Sequence, residues 1–419
     1  MTARRLAPAA VALVALLAAA APALGARILP PGDRYGDAAV DLSTNGRAAV
    51  AYERALPGPD RIRVAIRRVD RLNRPTAGYE LGRGNLQLVR VGDAAAGPHV
   101  VAWKRRGELL VSVLSRGTWR TERLPQEVRS FTALSAAVAG SRVVLVAGDD
   151  TDAVALVRTG PRRWVSRPLP PGPARTAVVA RASEPSGRVV AAWSEAGVAG
   201  QSVAASSFDP GSLQWAPPTT LVAPGTYPSP APADLYLNAR GDAVLSVSTA
   251  EDHFGAPPAI APVRYLPALS PAWVALPNVP VITTRTSVVQ VAVTPDGTPV
   301  YARSGDGARL GILSGGVWGP EEVAWTGPAD PDFGTIDAVD DLAVAQGGRV
   351  VMSVAVDPGP GPDSHSFLVR SAVGGAWGAP SPFASTYGTP ELVVGGRRIA
   401  ATWVEDPSST GLPEAVLAP

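Results

Sequence analysis

Gly187-Arg188-Val189-Val190-Ala191-Ala192-Trp193-Ser194 decides the fold, because eight versions of this phrase run along the chain. The others begin at Gly46 (GRAAVAYE), Pro98 (PHVVAWKR), Ser141 (SRVVLVAG), Gly241 (GDAVLSVS), Gly297 (GTPVYARS), Gly348 (GRVVMSVA) and Arg397 (RRIAATWV). Each is read as an alternating apolar run entered from a Gly or Asn-Gly turn, often ending in Ala-Trp or Ala-Tyr. Successive starts lie 52, 43, 46, 54, 56, 51 and 49 residues apart. That interval suits a four-stranded blade and exceeds a helical repeat. The prediction is an all-β chain, a β-propeller of four-stranded antiparallel blades over 27–419. Eight blades follow if every copy is real. Seven is the alternative, since the first copy lacks an outer Trp and the fifth is strewn with proline.

Working outward from the quoted copy, Thr176 to Ala182 alternates as an inner strand, Pro185-Ser186-Gly187 turns, and Arg188 to Trp193 is the second strand. Gln201 to Phe208 then forms a third strand, Asp209 to Ser212 turns, and Trp215 opens an outer strand running to Val222. Strand, turn, strand with period-two alternation is a meander. The last copy supplies three strands before the chain ends. Arg27-Ile28-Leu29-Pro30 reads like the outer strand Arg167-Pro168-Leu169-Pro170, so the N-terminal strand is expected to complete the C-terminal blade. Such closure leaves no open sheet edge.

Residues 1–26 read as a signal peptide: Arg4 and Arg5 precede an apolar stretch from Leu6 to Leu24, and Ala23-Leu24-Gly25 offers a cleavage site. An uncleaved N-terminal anchor is the lesser alternative. The mature chain is expected to be exported, extracellular and monomeric, with no membrane insertion after cleavage. There is no cysteine, so lipidation and disulfides are excluded and stability rests on a core. Arginine outnumbers lysine 37 to one, the bias of a GC-rich bacterial genome. A formal charge of +2 hides an asymmetry, since residues 27–132 sum to +8 and residues 191–419 to −12. The basic part is mixed with acids and lacks interleaved aromatics for base stacking, which argues against nucleic acid as a partner.

Six outer strands open with Trp: Trp119, Trp164, Trp215, Trp273, Trp318 and Trp377. Ser207-Phe208-Asp209-Pro210-Gly211-Ser212-Leu213-Gln214-Trp215 comes within one inserted residue of Ser-x-Asp-x-Gly-x-x-Trp. The repeats thus resemble the Asp-box repeats of bacterial sialidases (neuraminidases) over 27–419. That resemblance implies hairpins stabilised by the Asp, with the Trp packed between blades. It implies no active site: the family's arginine triad, Tyr/Glu pair and catalytic Asp find no matching motif, and no catalytic residue is assigned.

Chemistry is expected on one face, in the loops that join second to third strands. These carry Asp149, Glu195, Glu251, His253, Asp357, His365 and Glu405, and are expected to favour cations or hydroxylated ligands over anions. Asp330, Asp332, Asp357 and Asp363 are hard oxygen donors among turn residues and could hold Ca²⁺, the one cofactor suggested. The leading functional reading is an exported, non-enzymatic propeller that binds a glycan, cell-wall component or protein through this acidic face. A diverged glycoside hydrolase is the alternative. Calcium is expected to raise the melting temperature, and joint replacement of Asp357 and Asp363 to abolish that rise. A melting temperature indifferent to calcium and to chelator would reduce the acids to ordinary turn residues.

Overall fold

The computed structural model describes residues 34–43, 48–55, 62–69, 79–92, 98–115, 117–184, 186–249, 260–281, 289–304, 307–326, 336–356, 364–370, 376–378, 380–382, 391–395, 397–402 and 415–418. These form eight antiparallel sheets, each a meander in chain order, and the only helical element among them is one 3-10 turn at Gln126–Val128. The fold is a β-propeller. The eight quoted phrases are the second strands of the eight sheets: Ala48–Ala55, His99–Arg105, Arg142–Gly148, Val189–Gly197, Ala243–Ser248, Pro299–Arg303, Val350–Val356 and Arg398–Thr402. The expected closing strand, Arg27 to Pro30, lies outside the described residues.

Second strands are apolar on both faces because a neighbouring sheet covers each face. Val189, Val190, Ala191, Ala192 and Trp193 are all fully buried in succession. Strict alternation would suit a sheet wet on one side, whereas a continuous run suits a strand buried on both. Seven apolar clusters each join two successive sheets, from the pair of sheets 1 and 2 to the pair of sheets 7 and 8. Sheet 8 in turn lies against sheet 1. A Cβ added to Gly395 would sit 2.3 Å from the Leu42 Cβ and 2.7 Å from the Ser43 carbonyl oxygen.

The turn between first and second strands closes on a left-handed glycine in four consecutive sheets, one residue longer in sheet 4 than in the other three. Gly187, Gly241, Gly297 and Gly348 all have φ between 72 and 96°. Their N–H groups donate back to the carbonyls of Ser183, Asn238, Thr294 and Ala345. Glycine is needed because this left-handed conformation costs other residues energy. These turns also clasp one another: Ser183 Oγ donates to the Asn238 carbonyl at 2.7 Å, and Asn238 Nδ2 to the Thr294 carbonyl at 2.9 Å.

The outer strand of sheet 4 departs from expectation. It is broken into Gln214–Trp215 and Thr219–Val222, because Pro217 and Pro218 have no N–H to offer the ladder. Sheet 6 is broken likewise, at Gly319-Pro320, between Val317–Trp318 and Glu322–Trp325. At the preceding hairpin, Asp209 Oδ1 and Oδ2 accept the N–H groups of Gly211 and Ser212 at 2.9 and 3.0 Å, and Phe208 packs 5.3 Å from Trp215.

Three outer-strand tryptophans share a bond absent from the sequence argument. Trp164 Nε1 donates to Glu122, Trp215 Nε1 to the Arg167 carbonyl and Trp318 Nε1 to the Pro277 carbonyl, at 2.7–2.9 Å. Every acceptor lies in the outer strand of the preceding sheet. The indoles therefore pack and also fasten the rim. Trp318 further meets Tyr301 edge-on at 4.8 Å. Trp318→Ala should cost about 3 kcal/mol by removal of a large packed ring. Trp318→Phe should lose less, mainly the roughly 1 kcal/mol of the hydrogen bond. Chemical denaturation checks both, and an unchanged midpoint for the alanine variant would remove the indole from the stability account.

Candidate functional site: the central channel

First strands of all eight sheets line one cavity of about 280 Å³. Asp41, Arg90, Ser135, Arg181, Asp234, Val293, Asp341 and Leu392 each come from a different sheet, so the first strands converge on a common axis. The lining also includes Asn238, Pro295 and Gln346 from the glycine turns, which places its mouth at that end of the ring. The second-to-third-strand loops sit at the opposite end.

Strand register explains the polar lining. Asp41, Arg90, Arg181 and Tyr236 occupy one repeat position, opposite Ala49, Val100, Val190 and Val244 of their second strands. Ser135, Asp234 and Asp341 occupy a second position, opposite Val146, Ser246 and Ser353. Each of these last three follows an irregularity in the strand. Such bulges re-aim side chains.

Most of these groups hold the ring together. Asp41 accepts the Val91 N–H at 2.6 Å, Ser135 that of Ala182 at 3.0 Å, Asp234 that of Val291 at 2.8 Å, and Asp341 that of Leu392 at 2.6 Å. In each case the donor belongs to the first strand of the next sheet. Arg90 does the same with opposite polarity, its Nε donating to the Ala136 carbonyl at 3.1 Å while Nη1 stands 4.0 Å from Asp41. Glu184 reaches backward to accept the Val138 N–H at 2.8 Å.

Burial sets the protonation of this lining. The Asp234 carboxyl is raised above the usual carboxylate range by desolvation, against the opposing pull of the Val291 N–H and the Arg181 charge. The Tyr236 phenol is pushed well above its ordinary value by burial, then by the Asp341 and Asp234 charges.

On the loop face, the structure places two of the residues expected to form a site. Asp149 Oδ1 accepts the Thr151 N–H, the Thr151 hydroxyl and the Asp152 N–H at 2.8–2.9 Å, and these bonds, led by the Thr151 N–H, lower its pKa. It is capping its own turn. Glu195 Oε1 accepts the Trp193 indole N–H at 2.8 Å, and the Arg175 guanidinium lies 4.9 Å over that indole. His365 is paired with Ala355 in the third strand of sheet 7. Glu251, His253, Asp330, Asp332, Asp357, Asp363 and Glu405 lie outside the described residues. Among the described residues no three His, Cys, Asp or Glu side chains gather as a metal site, and no helix is long and apolar enough to cross a membrane.

Asp234 makes the channel testable. Its raised folded-state pKa means that its contribution to stability is greatest below the ordinary carboxylate pKa and is lost as pH rises through the folded value. Asp234→Asn keeps an acceptor for the Val291 N–H and removes the charge. It should melt above the parent at pH 7, with the difference fading toward pH 4. Asp234→Ala strands the N–H and should cost about 1–3 kcal/mol at either pH. A neutral-pH melting temperature lowered equally by both variants would contradict this account.

No family model and no curated protein sequence matches the chain. Among solved structures, the Dos1 propeller superposes with a TM-score of 0.52 at 10% identity, covering 88% of this chain and 89% of its own. The β-propeller domain of the Trilobed protease from Pyrococcus furiosus gives 0.47 at 8% identity, covering 84% and 95%. The polysaccharide lyase Uly1 gives 0.45 at 10% identity, covering 82% and 90%. At such identities the likeness to the Dos1 propeller is one of fold alone.

Proposed function

We propose that the chain is an exported, eight-bladed propeller, closed by the Arg27–Pro30 strand, that binds a glycan, cell-wall component or protein and catalyses no reaction. The observation that carries this reading is the state of the channel groups. Asp41, Asp234 and Asp341 each spend a carboxylate oxygen on a backbone N–H of the adjoining sheet. A retaining or inverting glycoside hydrolase needs one carboxyl free to give a proton and a second group free to attack or to activate water. Groups fastened to the wall serve a rigid, preformed binding site better than a proton relay. The acidic loop face, with Asp149, Glu195, Glu251, His253, Asp357, His365 and Glu405, is the second surface such a module would present.

Residues 27–419 applied to a glycan array beside a panel of fluorogenic glycosides would separate this reading from a diverged hydrolase. Saturable binding without turnover is expected. Protein-dependent release of the fluorophore, lost on replacement of a channel acid, would overturn it.

A further inference from the structure

Arg90 and Arg181 occupy the same repeat position in sheets 2 and 4, each opposite the valine three residues before a buried tryptophan of the second strand, Trp103 or Trp193. The two are used differently. Arg90 is half-buried and donates to the backbone of the next sheet. Arg181 is exposed in the cavity lining, and its hydrogen bond is a 3.4 Å contact with the carbonyl of its own neighbour, Ala180. It forms no ion pair among the described residues. The structure therefore has a guanidinium that lines a converging channel and makes no hydrogen bond to another sheet, its charge acting on Asp234 of sheet 5.

The charged groups around it are hydrogen-bonded elsewhere, and Asp234 is the acid on which the Arg181 charge acts. Asp341 caps two backbone N–H groups, of Leu342 and Leu392, and Asp234 accepts that of Val291. Glu184 is tied to Val138, and Arg240 is drawn aside to Asp242 at 3.4 Å and to the Asp296 carbonyl. An arginine fork with free donors pairs best with a planar oxyanion that takes two parallel N–H bonds. A cavity of about 280 Å³ admits one small acid or one acidic side chain.

We propose that the mouth of the channel on the glycine-turn side is a carboxylate-binding site, with Arg181 as the residue that grips the ligand's carboxylate. This rests on the reading of the chain as a binding propeller and assigns the ligand chemistry. The preference is opposite to that expected of the acidic loop face, at the far end of the ring.

Isothermal calorimetry of the mature chain with glutarate, hexaglutamate and the uncharged glutaramide tests it. Glutarate or hexaglutamate should bind and glutaramide should not. Arg181→Gln should weaken binding at least tenfold, and any fall in melting temperature, from loss of the Arg181 charge that favours the Asp234 carboxylate, should fade toward pH 4. Arg181→Lys, which keeps the charge but loses the fork, should fall between. Equal binding of glutarate and hexaglutamate per site would identify a free acid as the ligand, whereas binding of hexaglutamate alone would identify an acidic chain. Failure of both acids to bind, or affinities untouched by Arg181→Gln, would overturn the proposal. A glycan-array signal in a chain that binds neither acid would sink the carboxylate site and leave the binding reading standing, while glycoside turnover would sink that reading by itself.

Discussion

The first strand of every sheet ends its ladder at an edge facing the axis, and the backbone groups on that edge must find partners or be buried unsatisfied. A closed barrel would solve this with more ladder, but here adjoining first strands belong to different sheets. The N–H groups of Val91, Ala182, Val291 and Leu392 are met instead by side-chain oxygens of the preceding sheet, and the Ala136 carbonyl by a guanidinium. A buried backbone group left without a partner costs about 1–3 kcal/mol. Polar residues in otherwise apolar strands are thus a structural requirement of the ring. They also bring charge to its centre.

Sheets arranged around an axis converge inward and splay outward, and residue size follows that wedge. Ala49, Ala51, Ala102, Ala191 and Ala192 sit in second strands near the axis with no exposure, and Gly395 lets sheet 8 approach the backbone of sheet 1. Toward the rim the gap widens, and Trp164, Trp215 and Trp318 fill it and cross it by hydrogen bonds to the sheet before. Sheets 2 and 3 add a buried ion pair at the same radius. Arg158 meets Glu122 by Nε and by Nη2, at 2.6 Å for Nη2, and this pairing outweighs the burial that would otherwise raise the carboxyl, leaving its pKa lowered. The Trp164 indole donates to Oε2 of Glu122, the oxygen that also accepts from Arg158 Nε.

How much of this was legible in sequence depends on which physical signal each feature leaves. The second strands were legible because burial on both faces writes an uninterrupted apolar run, and the turns because positive φ demands glycine. The breaks after Trp215 and Trp318 were legible in principle from Pro217-Pro218 and Gly319-Pro320, though the outer strand was read straight through the first. The channel was missed. Its residues carry no motif, and Arg90, Arg181, Asp234 and Asp341 look like solvent-side members of alternating strands. The available signal was positional: Asp41, Arg90, Arg181 and Tyr236 share one place in the repeat. Asp149 and Glu195 carry structural bonds that sequence could not separate from a ligand role, since an acid in such a loop can cap its own turn or accept from Trp193.

A ring that uses charged side chains as fasteners constrains what chemistry its centre can host. A carboxylate that caps a neighbour's N–H is oriented by that bond, and moving it to accept or release a proton would expose the N–H it covers. Residues at the same repeat position but released from fastening are where a propeller of this kind can acquire specificity without loosening its frame. In sheet 4 the hydroxyls of Ser183 and Ser194 and the Arg188 guanidinium donate to carbonyls of sheet 5, so the hydrogen-bonded tie that Arg90 makes in sheet 2 is made here by residues other than Arg181.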